Sequence, residues 1–208
     1  MTMSNVNQHQ PPTEFVFEHN FDEKGALYYL GSLGRRRLWQ NPHTLGVVQA
    51  FASSMAQGSA IESFVGRSAH NCRTEDQPHS FMGIDIGQER RICPTYYTLR
   101  NRDQLTHSLR NWKFEGSIEG LKWDVLDVRI YQSDKFDVNQ QALDNEHKEL
   151  RQKGGSLTFS IDTMVYQQLG TDGYRFFRVM QLSKNSHGTD VLGLSGFEIY
   201  GKVSGQWD

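Results

Sequence analysis

The feature that most constrains the fold of this chain is a succession of short β-rich runs separated by turn-forming residues. The runs are rich in β-branched and aromatic residues, and several alternate apolar with polar side chains, which indicates strands with one buried face. They cover Glu14–Glu18, Ala26–Leu30, Val47–Ser53, Ser80–Gly87, Ile92–Leu99, Asn111–Gly116, Trp123–Tyr131, Leu157–Ile161, Tyr174–Leu182 and Phe197–Val203. Short strands at this spacing predict an all-β, antiparallel β-sandwich rather than alternating strands and helices.

One segment departs from this pattern and predicts a short, mostly exposed helix inserted between strands. Residues Gln141–Lys153 lack strand-forming side chains and are followed by two glycines. Asp144 and Lys148 stand four positions apart, the spacing at which opposite charges support a helix. We therefore expect an insertion at about residues 133–155, outside the minimal sandwich.

The length of the chain fits one domain. With 208 residues it can bury a substantial core but is short for two domains of enzyme size. Residues 1–13 are polar and are expected to form a disordered lead, so the predicted domain covers residues 14–208. No run approaches the roughly 18 apolar residues that a membrane span requires, and we expect no membrane span.

The net charge and the cysteine content limit which kinds of partner and which cellular compartment we expect. The formal net charge is −2 and the pI is about 6.4, so no overall positive field would attract nucleic acid. The two cysteines, Cys72 and Cys93, are few for a secreted module, and no N-glycosylation sequon is present. We expect both to be buried free thiols in an intracellular, cytoplasmic protein.

Ordered motifs in the last 130 or so residues carry a family resemblance. They are Phe81-x-x-Ile84-Asp85-Ile86-Gly87, Pro94-x-x-Tyr97-x-Leu99-Arg100, Leu109-Arg110-Asn111-Trp112-x-x-Glu115-Gly116-Ser117-x-x-Gly120-x-x-Trp123-x-x-Leu126, and Tyr174-Arg175-Phe176-Phe177-Arg178 with Leu194-Ser195-Gly196-Phe197-Glu198-Ile199-Tyr200-Gly201. In this order they resemble galactose-binding-like, or discoidin-like (factor V/VIII type C-like), domains. The closest resemblance is to the intracellular versions attached to BTB-domain adaptors and large ubiquitin ligases, relatives of the Doc-type substrate-recognition fold.

The resemblance implies a jelly-roll sandwich that binds partners through the loops at one end. It also implies that the long connection from Ala56 to His79 and the segment after Leu99 emerge as neighbouring loops. These segments combine arginine, which suits carboxylates, with asparagine and histidine, which form directional hydrogen bonds. The predicted ligand-binding residues are Asn71, Arg73, Thr74, Glu75, Asp76, His79, Arg100, Asn101 and Arg102. The alternative is that Arg73 and Arg100 form internal salt bridges with Asp85 or Glu75.

No motif for catalysis or cofactor binding is present. The strict glycine spacings of a nucleophile elbow, a phosphate loop and a dinucleotide fingerprint are all missing. A zinc site of His70, Cys72, His79 and Cys93 would lack a recognised spacing, so no metal or cofactor is predicted. The triplet Arg35-Arg36-Arg37 is interpreted as a solvated loop, since no aromatic ladder for nucleic acid accompanies it.

The chain is therefore predicted to be a non-catalytic binding module for a protein or peptide. It would serve in substrate recognition or scaffolding within a ubiquitin-ligase-type assembly, as the resemblance implies. The alternative is a module of the same fold that binds carbohydrate or another small ligand, although few aromatic residues that could stack on sugar occur in the predicted site.

Overall fold

A computed structural model describes residues 11–131 and 147–207. Within them lie nine strands and three short helical segments. The strands are β1 Glu14–Phe15, β2 Gln49–Ala52, β3 Phe81–Asp85, β4 Arg90–Asn101, β5 Asn111–Ser117, β6 Asp124–Ile130, β7 Ser156–Ser160, β8 Phe176–Gln181 and β9 Leu194–Gly205. The helical segments are α1 Ala26–Gly31, a 3-10 helix Ile61–Val65 and α2 Met164–Leu169. None of these helices is long and apolar enough to cross a membrane.

The strands form two antiparallel sheets. One sheet has the order β1-β9-β4-β7, and the other has the order β2-β3-β8-β5-β6. Neighbours in each sheet are mostly distant in sequence, since β4 pairs with β9 and β3 pairs with β8. This crossed, antiparallel topology confirms the prediction of an all-β sandwich.

The core between the sheets is aromatic. Trp112 on β5 is fully buried and packs edge-on against Phe159 of β7, with the ring centroids 5.1 Å apart. Its indole N–H donates to the hydroxyl of Tyr97 on β4 at 3.0 Å, and that hydroxyl donates to Asp127 at 2.7 Å. The polar atoms of the buried Trp112 and Tyr97 side chains are thus satisfied, as burial requires.

The run Ala26–Leu30 is helical, so the prediction of a strand there is wrong. Four of its five side chains are buried, and a short, nearly continuous apolar run does not distinguish a strand from a buried helix. The side chain of Glu198 on β9 stabilises the helical conformation of this run. Its carboxylate accepts the free N–H groups of Leu27 at 2.7 Å and Tyr28 at 3.0 Å, which satisfies the start of α1.

The predicted helix at Gln141–Lys153 is only partly covered by the structure, because residues 141–146 lie outside the described part. Residues 147–153 form turns rather than a helix. His147 is also buried rather than exposed, and its ring stacks on Tyr131 with a centroid distance of 4.4 Å. Leu150 is 2% exposed. The burial of these two side chains ties the turns to the sandwich. Residues 1–10 of the predicted lead also lie outside the described part.

The direction of the strands brings several connections to one end of the sandwich. β2, β4, β6 and β8 finish at this end, while β3, β5, β7 and β9 start there. The connections at this end are therefore residues 53–80, 102–110 and 182–193, together with the described residues 147–155. The predicted binding residues lie on the first two of these connections or at the end of β4.

Candidate functional site

Three loops come together to form a continuous surface at this end of the sandwich. We call residues 70–79, 102–108 and 183–192 the end-loop surface. Two of the loops were expected to be neighbours, and Asn71 of the first lies 2.7 Å from Arg102 of the second, measured from Asn71 Oδ1 to Arg102 Nη1. The resemblance thus placed these two segments correctly.

Arg102 holds its own loop and connects it to Asn71. Its Nη2 donates to Thr106 Oγ1 at 2.6 Å and lies 2.8 Å from His107 Nδ1, while its Nε donates to the Thr106 carbonyl at 3.3 Å. The residue is only 2% exposed. All of these hydrogen-bond partners are neutral groups, and the carboxylate of Asp103, the next residue, offsets part of the Arg102 charge through space.

The third loop, residues 183–192, was not among the predicted site segments. The ring of His187 stacks on that of His107 with centroids 5.1 Å apart, and its Nδ1 accepts the His107 main-chain N–H at 3.2 Å. Asp76 accepts the main-chain N–H of Asp190 at 2.7 Å. The turn-forming composition around Gly188 could have identified a loop here, but nothing local indicates which other loops it meets.

Thr74 is fully buried and connects the first loop to the third. Its main-chain N–H donates to the carbonyl of Leu192 at 3.0 Å, and its hydroxyl oxygen accepts the Leu192 N–H at 2.9 Å. The hydroxyl in turn donates to the Glu75 carbonyl at 2.9 Å. In this arrangement Thr74 positions the loop and offers no free group to a ligand.

Arg100 lies inside the domain and is occupied by main-chain oxygens. Its Nη2 donates to the carbonyls of Gly66 and Ser195, each at 2.7 Å, and its Nη1 donates to the carbonyl of Arg67 at 2.7 Å. The guanidinium lies over the ring of Phe21, 4.5 Å from its centroid. Burial, together with the nearby charge of Arg67, lowers the pKa of Arg100 to about 10.

The alternative in which Arg73 and Arg100 pair with Asp85 or Glu75 is wrong. Within the described residues, neither guanidinium lies within 4 Å of a carboxylate. Asp85 instead forms a two-pronged ion pair with Arg175, with N–O distances of 2.5 and 2.6 Å. The partners of Arg100 are carbonyls because the long connection and β9 place their main chains around its guanidinium group.

Asn101 is also buried, with 1% exposure. Its Nδ2 donates to the Gln152 carbonyl at 3.1 Å, and its Oδ1 accepts the Arg102 N–H at 2.9 Å. These bonds connect the end of β4 to the turns before β7. Of the predicted set, Thr74, Arg100, Asn101 and Arg102 are thus buried, whereas Asn71 and Arg73 are half-buried and Glu75, Asp76 and His79 are exposed.

The electrostatics of the end-loop surface are dominated by arginine. Arg73 is half-buried, and its Nε is a buried donor without a hydrogen-bond partner among the residues described. Burial and then the charge of Arg73 lower the pKa of Arg102. Burial, followed by the charge of Arg102, also lowers the pKa of His107, which favours a neutral imidazole. The two guanidinium groups therefore lie in each other's field, and in the described ranges no carboxylate lies within 4 Å of either, although Asp103 acts on Arg102 from farther away.

A cleft of about 490 Å³ opens beside the end-loop surface. His70 and Asn71 belong both to its wall and to the first loop, and Trp39 provides an aromatic side chain on the wall. Glu62 and Arg67 contribute one charge of each sign. Since a ligand-binding cleft typically combines an apolar wall with a few polar groups, this cleft extends the end-loop surface as a candidate site.

The two thiols differ in their surroundings. Cys72 is fully buried, and burial, reinforced by the charge of Glu62, raises its pKa to about 12. Cys93 is half-buried rather than buried as predicted, and both are free. Across residues 11–131 and 147–207, no three histidine, cysteine or acidic side chains are grouped so that they could hold a metal ion.

Comparison with known proteins identifies similar sequences in very large proteins, although no family model matches the chain. The ubiquitin ligase Ufd4 of Drosophila melanogaster is 32% identical over 213 residues, which cover 99% of this chain and 7% of Ufd4. The ubiquitin ligase hecd-1 of Caenorhabditis elegans is 34% identical over 190 residues, covering 88% of this chain and 6% of hecd-1. A BTB/POZ domain-containing protein of Arabidopsis thaliana is 28% identical over 129 residues, covering 59% of this chain and 16% of that protein. The chain thus spans only a small part of these relatives.

Solved structures share the fold. The CBM62 of Clostridium thermocellum Xyl5A superposes with a TM-score of 0.50 at 13% identity, covering 75% of this chain and 95% of that one. With the sheet topology, this match shows that the chain folds as an antiparallel β-sandwich of the kind seen in that carbohydrate-binding module. In sequence the chain is similar to segments of two large ubiquitin ligases and of a BTB protein, as the motif order predicted.

Proposed function

We propose that this domain is a non-catalytic module that binds a protein partner through the end-loop surface. The observation that carries the proposal is the pair Arg73 and Arg102, two guanidinium groups with no carboxylate within 4 Å in the part of the chain that the structure describes. Charges at a loop surface that have no direct carboxylate partner are complementary to an anionic group of a partner.

The partner that best fits this chemistry is an acidic peptide segment or a chain-terminal carboxylate. Arginine binds a carboxylate through two parallel N–H groups, and the buried Nε of Arg73 has no hydrogen-bond partner in the part of the chain that the structure describes. His187, on the exposed side, and the half-buried Asn71 add hydrogen-bonding groups on either side of the guanidinium pair. The adjoining cleft could receive the rest of the peptide. The predicted roles of Glu75, Asp76 and His79, which are exposed, belong to the same proposal.

The similarity to segments of Ufd4 and hecd-1 supports a role in substrate recognition or scaffolding within a ubiquitin-ligase assembly, in an intracellular setting. In such an assembly the reaction would belong to another part of the protein. The domain would bring a substrate or a subunit to it. If the domain recognises an acidic segment of its substrate, the affinity should fall as the salt concentration rises.

The proposal is tested by measuring the affinity of the 208-residue chain for a library of fluorescent acidic peptides, with free and amidated C-termini. Arg73→Gln is expected to weaken binding at least tenfold, since a charge-assisted hydrogen bond contributes about 1.5–3 kcal/mol and 1.4 kcal/mol corresponds to a factor of ten. Arg36→Gln, on the exposed turn after α1, is the matched control, because Arg36 does not line the cleft beside the end-loop surface, and it should leave this affinity unchanged.

Two results would count against the end-loop proposal. One is acidic-peptide binding that Arg73→Gln leaves intact, because the guanidinium pair would then not be part of the site. The other is the absence of peptide binding together with binding to a glycan array. That second result would favour the carbohydrate-binding alternative for the same fold.

A further inference from the structure

The turn that follows α1 has an unusual backbone. Residues 33–35 have positive φ angles of 46°, 71° and 62°, and only the middle one is glycine. The left-handed region costs a non-glycine residue about 1–2 kcal/mol. Ser32 holds this turn in place, since its Oγ accepts the Arg35 N–H at 3.1 Å and its carbonyl accepts the N–H groups of Arg36 and Arg37 at 3.0 and 3.2 Å.

The turn places its arginines beside a second set of clefts, whose lining residues are different from those of the end-loop surface and its adjoining cleft. One cleft, of about 300 Å³, is lined by Glu23, Lys24, Tyr28, Ser32, Arg35 and Arg37, and we call it the flank cleft. Another, of about 380 Å³, shares Lys24 and Arg35 with it. These two side chains therefore stand between two adjacent depressions.

The flank cleft carries a local positive charge although the chain as a whole has a net charge of −2. Three cationic side chains line it against one carboxylate, that of Glu23. Arg37 has no carboxylate within 4 Å in the described ranges, and Arg35 donates only to the Glu23 carbonyl at 3.2 Å. Lys24 pairs with Glu18, which is exposed at the surface. With Lys24 paired, the two guanidinium groups of Arg35 and Arg37 are the cationic groups of the flank cleft that have no carboxylate within 4 Å in the described ranges.

We propose that the flank cleft binds the phosphate group of a phosphorylated peptide. A phosphate monoester carries about −1.5 to −2 charges at pH 7, which matches the two guanidinium groups that have no direct carboxylate partner, whereas one carboxylate would pair with only one of them. The planar guanidinium groups of Arg35 and Arg37 can each donate two parallel hydrogen bonds to phosphate oxygens. Backbone strain of the kind found in residues 33–35 is concentrated at ligand clamps and active sites.

The turn also favours a single anion over an extended polyanion. Backbone hydrogen bonds to Ser32 hold the arginines close together in one turn, so they do not form an extended positive groove. The aromatic residue that lines the flank cleft, Tyr28, is half-buried. Single-stranded nucleic acid is typically bound along a positive groove with a series of stacking side chains. A short phosphopeptide needs only one cluster of cationic side chains for its phosphate and a neighbouring depression for its flanking residues.

The test measures binding of the 208-residue chain to fluorescent phosphoserine peptides, to the same peptides without phosphate, and to glutamate-substituted versions. Arg37→Gln is expected to weaken phosphopeptide binding at least tenfold. The matched control is Arg36→Gln, because Arg36 lies on the same exposed turn but lines neither cleft. Since the Arg37 side chain makes no hydrogen bond or ion pair with residues 11–131 or 147–207, its substitution should leave folding intact, which far-ultraviolet circular dichroism and thermal unfolding will check.

Each outcome decides for or against the phosphate site. Selective loss of affinity in Arg37→Gln, and competition by inorganic phosphate, would support it. An equal loss in Arg36→Gln and Arg37→Gln would overturn it, because a diffuse field rather than a site would then be responsible. Equal binding of phosphorylated and glutamate-substituted peptides, or binding only to RNA, would also overturn it. Arg73→Gln should not change phosphopeptide affinity, so failure here is distinguishable from failure of the end-loop proposal.

Discussion

Replacing Arg100 with alanine is expected to destabilise the domain by about 4 kcal/mol. Three main-chain oxygens, from Gly66, Arg67 and Ser195, depend on its guanidinium group. At about 2 kcal/mol for each hydrogen bond to a charged group, these contacts contribute roughly 6 kcal/mol. The stacking on Phe21 adds about 1 kcal/mol. Burial of the charge, which lowers the pKa of Arg100 from its ordinary value to about 10, opposes this by roughly 3 kcal/mol.

The measurement is urea unfolding of the 208-residue chain at pH 7, followed by tryptophan fluorescence. Arg91→Ala is the matched control, since Arg91 also donates to two carbonyls, those of Gln88 and Arg90 at 2.7 Å each, but does so near the surface. The control should lose less than about 1 kcal/mol. If Arg100→Ala lost no more than the control, the long connection would be held by other contacts and the reasoning from Arg100 would be refuted.

Two further predictions concern titratable groups. Burial raises the pKa of Glu198 to about 7, so its contribution to stability is fully present below the ordinary pKa near 4.5 and is lost as the pH rises through 7. The unfolding free energy should fall by about 3 kcal/mol across this window. Denaturant titrations between pH 4.5 and 8 should show this fall in the natural chain but not in Glu198→Gln, and the same slope in both would contradict the assignment. For the thiols, a thiol-reactive reagent at pH 8 should label half-buried Cys93 well before Cys72, whose pKa is raised to about 12 by burial. Simultaneous labelling of both cysteines without unfolding would refute the described burial of Cys72.

The sandwich could be predicted because its strands carry their own signals. The positions of β3 to β9 follow from β-branched and aromatic runs bounded by turns, and the observed bounds differ from the predicted ones by a few residues. The five-residue run at Ala26 was misread because nearly all of its side chains are buried, which removes the periodicity that distinguishes helix from strand. The carboxylate that satisfies this helix comes from Glu198, 171 positions from Leu27, and no local pattern reveals such a contact.

The candidate site was predictable only in part. Motif order placed the Asn71 loop beside the Arg102 loop, and the hydrogen bond between these two side chains confirms that placement. The composition of the segment at the end of β4 does not show which of its side chains point into the domain. Arg100 and Asn101 look like exposed loop residues in the sequence, yet main-chain carbonyls that approach from distant segments draw both side chains inside. The loop with His187 was missed for the same reason.

The burial of Arg100 changes how binding experiments on this domain must be interpreted. Its guanidinium group holds the long connection against β9, so the first loop of the end-loop surface is ordered before any partner arrives. Such pre-organisation lowers the entropy cost of binding. Arg100→Ala would therefore weaken binding by disordering the loop even though Arg100 itself does not reach the surface. Arg73→Gln is therefore the variant that tests for a direct contact with the partner. It removes a positive charge, and the Nε that it replaces has no hydrogen-bond partner among the described residues.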